Sequence, residues 1–441
     1  MENSKYKVID QVSPSFCLAK WLQVTLNLYN GTNHSCHHPK RHKTPLSELE
    51  NNASSLHNTN FKKQQRKLML EGQRPSECSY CWNIEDSNES NISDRYIKST
   101  DPWAYPHLKQ VKNLKWDENI DPTYVEVMFD NHCNFSCSYC LSDVSSSISR
   151  EIKKFGPLNV RDPSHRMPSK EVNYGRDNNP YIDAFWNWFP KLSESLEVLR
   201  ITGGEPFLTS NTLKVVEYLK QNPRPNLTLA INSNLGISRE IITKHFDKIK
   251  TLIEKNSIKD FDFFTSIDSI GKQAEYIRQG LDSNQYFENL KYTLETFPNQ
   301  RVILMCTFNI LSIANFQNLL IEVKNLKENY SNLILDISYL RDPYYLSVYS
   351  ADDELINTMK NSLKFMEENF NKYETQKFKR IVYWLLSPRD NSKINYYRSD
   401  FYNFVNDFDK RYGKNFLDIF PEMYLFYKKC RKAAAFMQLP V

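Results

Sequence analysis

From residue 123 to residue 339 the sequence repeats one pattern, a short apolar run followed by a helix-length stretch that is apolar on one face. The runs are 123–129 (TYVEVMF), 196–201 (LEVLRI), 227–232 (LTLAIN), 261–267 (FDFFTSI), 302–308 (VILMCTF) and 333–339 (LILDISY). Amphipathic stretches at roughly 181–194, 210–222, 238–255, 284–296, 314–329 and 351–370 follow them. Parallel strands need long crossover connections, and helices are the usual filling, so the pattern predicts an α/β wheel, open or closed.

The segment ahead of the wheel reads differently. Leu22, Val24, Leu26 and Leu28 alternate with Gln23, Thr25, Asn27 and Tyr29, which predicts a half-buried strand. Asn30-Gly31 is a hairpin turn signal, and the return arm carries Cys36 back toward Cys17. A helical pattern at about 58–71 closes at Gly72 and Pro75 and leads into Cys78-Ser-Tyr-Cys81-Trp82. Residues 83–120, rich in Asn, Ser, Asp and Pro, read as a linker, and 371–441, rich in Tyr, Phe, Lys and Asn, as a helical extension.

Composition narrows the function. No apolar run approaches the ~18 to 20 residues of a bilayer span, and the opening MENSKYKVIDQVSPSF has no signal-peptide core, so a cytoplasmic protein without membrane contact is expected. The 57 Lys+Arg against 52 Asp+Glu leave +5, scattered rather than clustered, which makes nucleic acid an unlikely partner. Nine cysteines in a chain without an export signal argue for metal rather than disulfides. Glycine is scarce, only 10 in 441 residues, yet Gly203 and Gly204 are adjacent.

Directly after the first strand of the wheel comes Asp130-Asn-His-Cys133-Asn-Phe-Ser-Cys137-Ser-Tyr-Cys140. Three thiolates on one loop can hold three irons of a 4Fe-4S cluster and leave the fourth open to a ligand. A zinc site completed by His132 is the competing use. The next strand ends in Ile201-Thr-Gly203-Gly204-Glu205-Pro206, where the glycines admit a ligand close to the backbone and the carboxylate can accept an ammonium. An ordinary βα turn would look the same.

Together, the Cys-x3-Cys-x2-Cys spacing with an aromatic residue before the last cysteine and the Gly-Gly-Glu-Pro step resemble the signatures of radical S-adenosylmethionine (SAM) enzymes. The resemblance runs over roughly 120–345. It implies a partial TIM-like (β/α)6 radical SAM barrel at 121–345, with SAM on the open iron of the Cys133, Cys137 and Cys140 cluster. By the same resemblance Tyr139, Gly203, Gly204, Glu205, Pro206, Asn232, Ser266, Asp268, Arg278 and Asn309 bind SAM. Strand-end capping is the plainer account of Asn232, Ser266, Asp268 and Asn309. The 62 residues between Cys140 and Gly203 exceed a minimal member, and the excess near 143–180 reads as a substrate-covering insertion.

Cys17, Cys36, Cys78 and Cys81 form a second set, and four thiolates ligate a cluster fully. Their hairpin, helix and Cys-x2-Cys order resembles the twitch or SPASM-like auxiliary-cluster domains of radical SAM enzymes, here ahead of the barrel. The resemblance thus implies a small cysteine-rich α+β hairpin domain at 1–82, a linker at 83–120 and a helical C-terminal extension at 346–441. Zinc on the same four thiolates is the alternative. His34, His37, His38 and His42 read as a solvated polar turn, Cys306 as packed under helices, Cys430 as without a role, and the tail's Tyr396, Tyr397, Tyr402, Tyr424 and Tyr427 as core and interface.

The implied activity is reductive cleavage of SAM to a 5'-deoxyadenosyl radical that abstracts hydrogen from a substrate. With two 4Fe-4S clusters, two-electron oxidation of a small molecule or carbohydrate is the leading expectation. A peptide- or protein-modifying maturase is the alternative, and a noncatalytic metal-binding protein a further one. An electron donor such as flavodoxin or ferredoxin is the expected partner.

Overall fold

The computed structural model describes residues 6–88, 91–170, 172–175 and 178–437. Residues 1–5, part of the segment read for an export signal, and 171, 176 and 177 of the expected insertion lie outside the described residues. The chain is a mixed α/β protein with a largely parallel sheet and many helices. It divides into two compact units, one of residues 1–130, 171–231 and 251–261, the other of 131–170, 232–250 and 262–441.

Eleven strands occur among the described residues: β1 (Gln23–Asn27), β2 (Thr32–His34), β3 (His42–Lys43), β4 (Tyr124–Met128), β5 (Ser136–Cys137), β6 (Val198–Thr202), β7 (Arg224–Ser233), β8 (Ile258–Ser266), β9 (Arg278–Gln279), β10 (Arg301–Phe308) and β11 (Leu333–Tyr339). The long ones coincide with the six apolar runs, and the helices Pro180–Ser195, Ser210–Gln221, Arg239–Glu254, Ser283–Thr296, Phe316–Asn329 and Asp353–Asn369 with the amphipathic stretches.

In the first unit β4, β6 and β7 run parallel, with Val127 opposite Ile201 and Ile201 opposite Ile231. Val125, Val127, Leu199, Ile201, Leu229 and Ile231 are all fully buried, as expected where branched side chains pack on the face of a helix-covered parallel sheet. The hairpin turn at Asn30-Gly31 is present, with β1 and β2 antiparallel and Thr25 opposite His34.

Two expectations need correction. The hairpin does not stand apart from the wheel, because β1 is also the parallel neighbour of β4, with Thr25 opposite Glu126. With β2 and β4 on its two sides β1 has no free edge, and it is buried throughout rather than half-buried, Gln23, Thr25 and Asn27 included. Nor is 83–120 an open linker. Short helices at Ser79–Ser87, Asp94–Ser99 and Leu108–Val111 bury Tyr96, Trp103, Ala104, Val111 and Ile120 in one core with Ile9, Phe16, Trp21 and Trp82. Its polar residues serve short turns, while widely spaced aromatic and aliphatic residues do the packing.

In the second unit β8, β10 and β11 are parallel, with Leu304 opposite Thr265 and Leu335. Cys306 is fully buried on β10, as its strand position predicts, and Cys430 is buried in the helix Tyr424–Phe436. The tail is helical: Lys372–Leu386, Asn391–Tyr412 and Tyr424–Phe436.

Candidate metal centres and cofactor site

The loop bearing Cys133, Cys137 and Cys140 belongs to the second unit and is tied down along its length. Ser136 and Cys137 pair antiparallel with Gln279 and Arg278 of β9. The Ser138 N–H donates to Ile277 O at 2.7 Å, and the Cys140 N–H to Cys137 O at 3.0 Å. Phe135 fills the space that Gly236 leaves open, since a Cβ there would lie 1.9 Å from the ring. Asn134 donates to Gly236 O at 2.6 Å and accepts from Asn234 Nδ2 at 2.8 Å, and that amide is 3.9 Å from Cys133 Sγ.

Beside the loop Tyr139, Asp268 and Arg278 form one buried network. Arg278 grips Asp268 through Nε at 2.8 Å and Nη2 at 3.2 Å, Tyr139 donates its hydroxyl at 2.8 Å, and the Thr307 N–H donates at 2.8 Å. Those four hydrogen bonds occupy the lone pairs of one carboxylate, so Asp268 is an anchor for its neighbours. Arg278 is likewise buried rather than a solvated surface side chain, because Asp268 compensates its charge. Burial works against that charge, but Asp268 holds Arg278 well above the usual arginine range. Burial pushes the Tyr139 phenol well above its usual range.

Of the other predicted residues in this unit, Asn232 and Ser266 are half-buried at the ends of β7 and β8. Asn309 is fully buried and spends its amide locally, donating to Thr307 O at 2.9 Å and accepting from Leu311 N at 3.0 Å.

Burial pushes the thiols of Cys137 and Cys140 up, and the charges that oppose it most are Arg278 for Cys137 and Arg166 for Cys140. Left to the protein, these side chains are neutral. Thiolates there need more positive charge within the loop, which an iron-sulfur core supplies, so the donor set fits such a group. Arg166 was not foreseen. It comes from the stretch read as a covering insertion, which contains the helix Ser146–Phe155, and it donates from Nη2 to Cys137 O at 2.6 Å.

The Gly-Gly-Glu-Pro step belongs to the first unit. Gly203 has φ +137°, and a Cβ on it would stand 2.7 Å from Asp130 O, so only glycine fits. Gly204 N–H donates to the same oxygen at 3.4 Å. Glu205 is 2% exposed, and its Oε1 accepts from Phe207 N at 3.1 Å, capping the turn Pro206–Leu208. Pro206 is buried.

Sequence reasoning also missed a polar row across this sheet. His34, Thr25, Glu126 and Arg200 stand side by side on β2, β1, β4 and β6, on the face opposite Val125 and Leu199. Glu126 and Arg200 approach to 4.0 Å, and Thr202 Oγ1 is 3.4 Å from Glu126. A charged residue inside an apolar run, Glu126 in TYVEVMF and Arg200 in LEVLRI, was the available signal.

Cys17, Cys36, Cys78 and Cys81, also of the first unit, line one cavity with Lys20, Trp82 and Arg95. Burial pushes Cys36 and Cys81 up to about 12, and the other thiols of the set add to it. Lys20 is buried and ion-paired to Glu77; burial opposes its charge, but Cys78 and Glu77 hold it above the usual lysine range. Four converging thiols with buried cations beside them fit an anionic metal-thiolate centre. Among the described residues no group of three or more His, Cys, Asp or Glu is arranged to hold a single metal ion directly.

The histidines of this arm are not all a solvated turn. His34 is buried and His42 half-buried, and burial pushes them down to about 4 and about 3. His37 is exposed, and His38 Nε2 lies 2.6 Å from Asp94 Oδ2.

The fold and its loops define a mixed α/β protein with a three-cysteine segment leaving one strand of a largely parallel sheet. No protein-family profile matches the chain, and no curated protein does. Among solved structures it is similar to hexahistidine-tagged anSMEcpe with bound AdoMet, at 16% identity and TM-score 0.36, over 56% of this chain and 60% of that one. It is also similar to native anSMEcpe with bound AdoMet and the Kp18Cys peptide, at 17% identity and TM-score 0.35, over 56% of this chain and 62% of that one. The chain therefore spans about 60% of the length of these solved chains. Among the described residues no helix is long and apolar enough to cross a membrane.

Proposed function

We propose that the chain is a radical SAM enzyme, and the observation that carries this is the three-cysteine loop fixed against β9. A 4Fe-4S cluster bound there would supply the electron that cleaves SAM to methionine and a 5'-deoxyadenosyl radical, which takes a hydrogen atom from the substrate. The protein's part is to hold three thiols within eight residues, keep Tyr139 and Arg278 rigid through Asp268, and offer Glu205 to the methionyl ammonium. Residues 121–345 form the partial (β/α)6 barrel in this reading, and 346–441 the helical extension. Cys17, Cys36, Cys78 and Cys81 hold a second 4Fe-4S cluster.

The substrate class has two readings, peptide or protein modification and two-electron oxidation of a small molecule or carbohydrate. Native anSMEcpe was solved with a peptide beside AdoMet, which brings the peptide reading forward.

The test is anaerobic reconstitution with iron and sulfide, then dithionite and SAM. The expected result is 5'-deoxyadenosine, lost when Cys133, Cys137 and Cys140 are replaced by Ala. A reconstituted protein that binds four irons on that loop yet leaves SAM intact overturns the reading.

A further inference from the structure

Arg166 is fully buried, and its guanidinium is spoken for on only two of its three nitrogens. Nη1 donates to Glu151 Oε2 at 2.9 Å, Nη2 donates to Cys137 O at 2.6 Å, and Nε has no hydrogen-bond partner among the described residues. In a planar guanidinium the Nε and Nη2 N–H groups form one edge, the edge with which Arg278 grips Asp268. With Nη2 on the carbonyl of Cys137, the unpartnered Nε–H lies on the edge of the guanidinium that faces that carbonyl.

The placement is built rather than incidental. Glu151 is held in turn by Arg411 Nη1 at 3.2 Å and by the Tyr412 hydroxyl, both at the end of the helix Asn391–Tyr412. Arg411 is braced on Asp407 at 2.9 Å, and Asp407 accepts the backbone N–H of Asn159 at 3.0 Å. The next residue along, Met167, is pinned through its carbonyl by Ser142 Oγ at 2.6 Å. The Cys137 carbonyl that takes Arg166 Nη2 also takes the Cys140 N–H at 3.0 Å, and the Cys140 thiol donates to the Leu141 carbonyl at 3.9 Å. As a thiolate that sulfur ceases to donate and becomes an acceptor.

We infer that Arg166 donates its Nε–H to the Cys140 thiolate when the three-cysteine loop holds its cluster, so that the segment read as a substrate cover sets the cluster's reduction potential instead. The inference rests on the radical SAM reading. Reduction adds negative charge to the cluster and its sulfurs, and a cation with an N–H on one sulfur favours the reduced state, raising the potential.

The experiment is an EPR-monitored redox titration of the reconstituted full chain, following the iron-sulfur signal that SAM perturbs, in wild type and Arg166→Met. The expected result is a reduction equilibrium at least tenfold less favourable in the variant, a fall of 59 mV for one electron, at unchanged iron content. A wild-type potential in an iron-replete variant overturns the inference. Should Arg166→Met fail to hold iron, Arg166→Lys decides, because it keeps the charge and can reach Cys137 O but has no Nε–H. A lowered potential there supports the inference, while a wild-type potential, or loss of iron in both variants, overturns it. A wild-type protein with no SAM-perturbed signal refutes the radical SAM reading instead, which keeps the two failures distinct.

Discussion

Cys137 and Arg278 face each other as register partners in the two-residue ladder of β5 and β9, so a proposed iron ligand and a buried cation are fixed to one another through the backbone. Because Arg278 is also locked to Asp268, and Asp268 to Tyr139, the loop's geometry is set before any ligand arrives. Preorganisation of this kind suits a site whose reactive group is supplied by a cofactor.

The lock makes Arg278 a structural cation first. Arg278→Met leaves Asp268 charged, buried and without its partner, a loss of ~3 to 5 kcal/mol for a broken buried pair. The expected outcome is a lowered melting temperature and loss of iron from the three-cysteine loop. A variant with wild-type stability and iron that binds SAM poorly would restore a direct role for Arg278 in binding SAM.

Glu205 can be tested with less disturbance. Its carboxylate caps Phe207 N, and a glutamine can do the same through its carbonyl. Glu205→Gln therefore isolates the charge, and losing a charge-assisted bond of ~1.5 to 3 kcal/mol should weaken SAM binding roughly tenfold to a hundredfold. Calorimetric titration of the reconstituted protein measures it, and unchanged affinity removes Glu205 from the site.

The six strands of the wheel were legible because each is a short, mainly apolar run flanked by helix signals, and the three cysteines because they share eight residues. What was not legible depends on pairings remote in sequence. Nothing in Gln23–Asn27 says that a hairpin strand with polar alternation will be the parallel neighbour of β4. The ladder of β5 with β9 is two residues long, too short for periodicity to show. Arg166 lay in a polar stretch without pattern, and its burial follows from Glu151 and Arg411, the latter some 250 residues away.

The first unit should be acid-sensitive through His57, which is fully buried between Lys62 and Arg66 and contacts Trp21 O at 2.7 Å. Burial, with Lys62 and Arg66 adding to it, holds its folded pKa well below the ordinary 6.5. Protons then bind the unfolded chain first. The stability this contributes is fully present above about pH 6.5 and is lost as the pH falls below it, by up to ~1.4 kcal/mol per unit, until the folded pKa is reached. Urea midpoints at pH 7.5 and 5.5, at equal metal content, should separate in wild type and draw together in His57→Gln. Equal separation in both proteins would assign the acid sensitivity elsewhere.

Metal content separates the two centres. Reconstituted protein should hold about eight iron and eight sulfide per chain, and about four of each once Cys133, Cys137 and Cys140 are replaced by Ala. Four iron with one tightly held zinc would mean that Cys17, Cys36, Cys78 and Cys81 bind zinc while the loop assignment stands.

The role of that second centre follows from where electrons must go. Hydrogen abstraction requires only the three-cysteine loop, so Cys78→Ala with Cys81→Ala should leave 5'-deoxyadenosine formation in place. A two-electron oxidation also needs an acceptor for the second electron, and a fully ligated cluster can take it, with Lys20 and Arg95 lining its cavity to favour the reduced state. Product formation should then fall much further than SAM cleavage in the double variant. Cys81 and Trp82 are part of the core that includes Trp21 and Trp103, so the change can also loosen that core, and circular dichroism with limited proteolysis must accompany the assay. Product at the wild-type rate from a folded double variant would exclude the electron-acceptor role and turn the reaction toward a redox-neutral epimerisation or rearrangement.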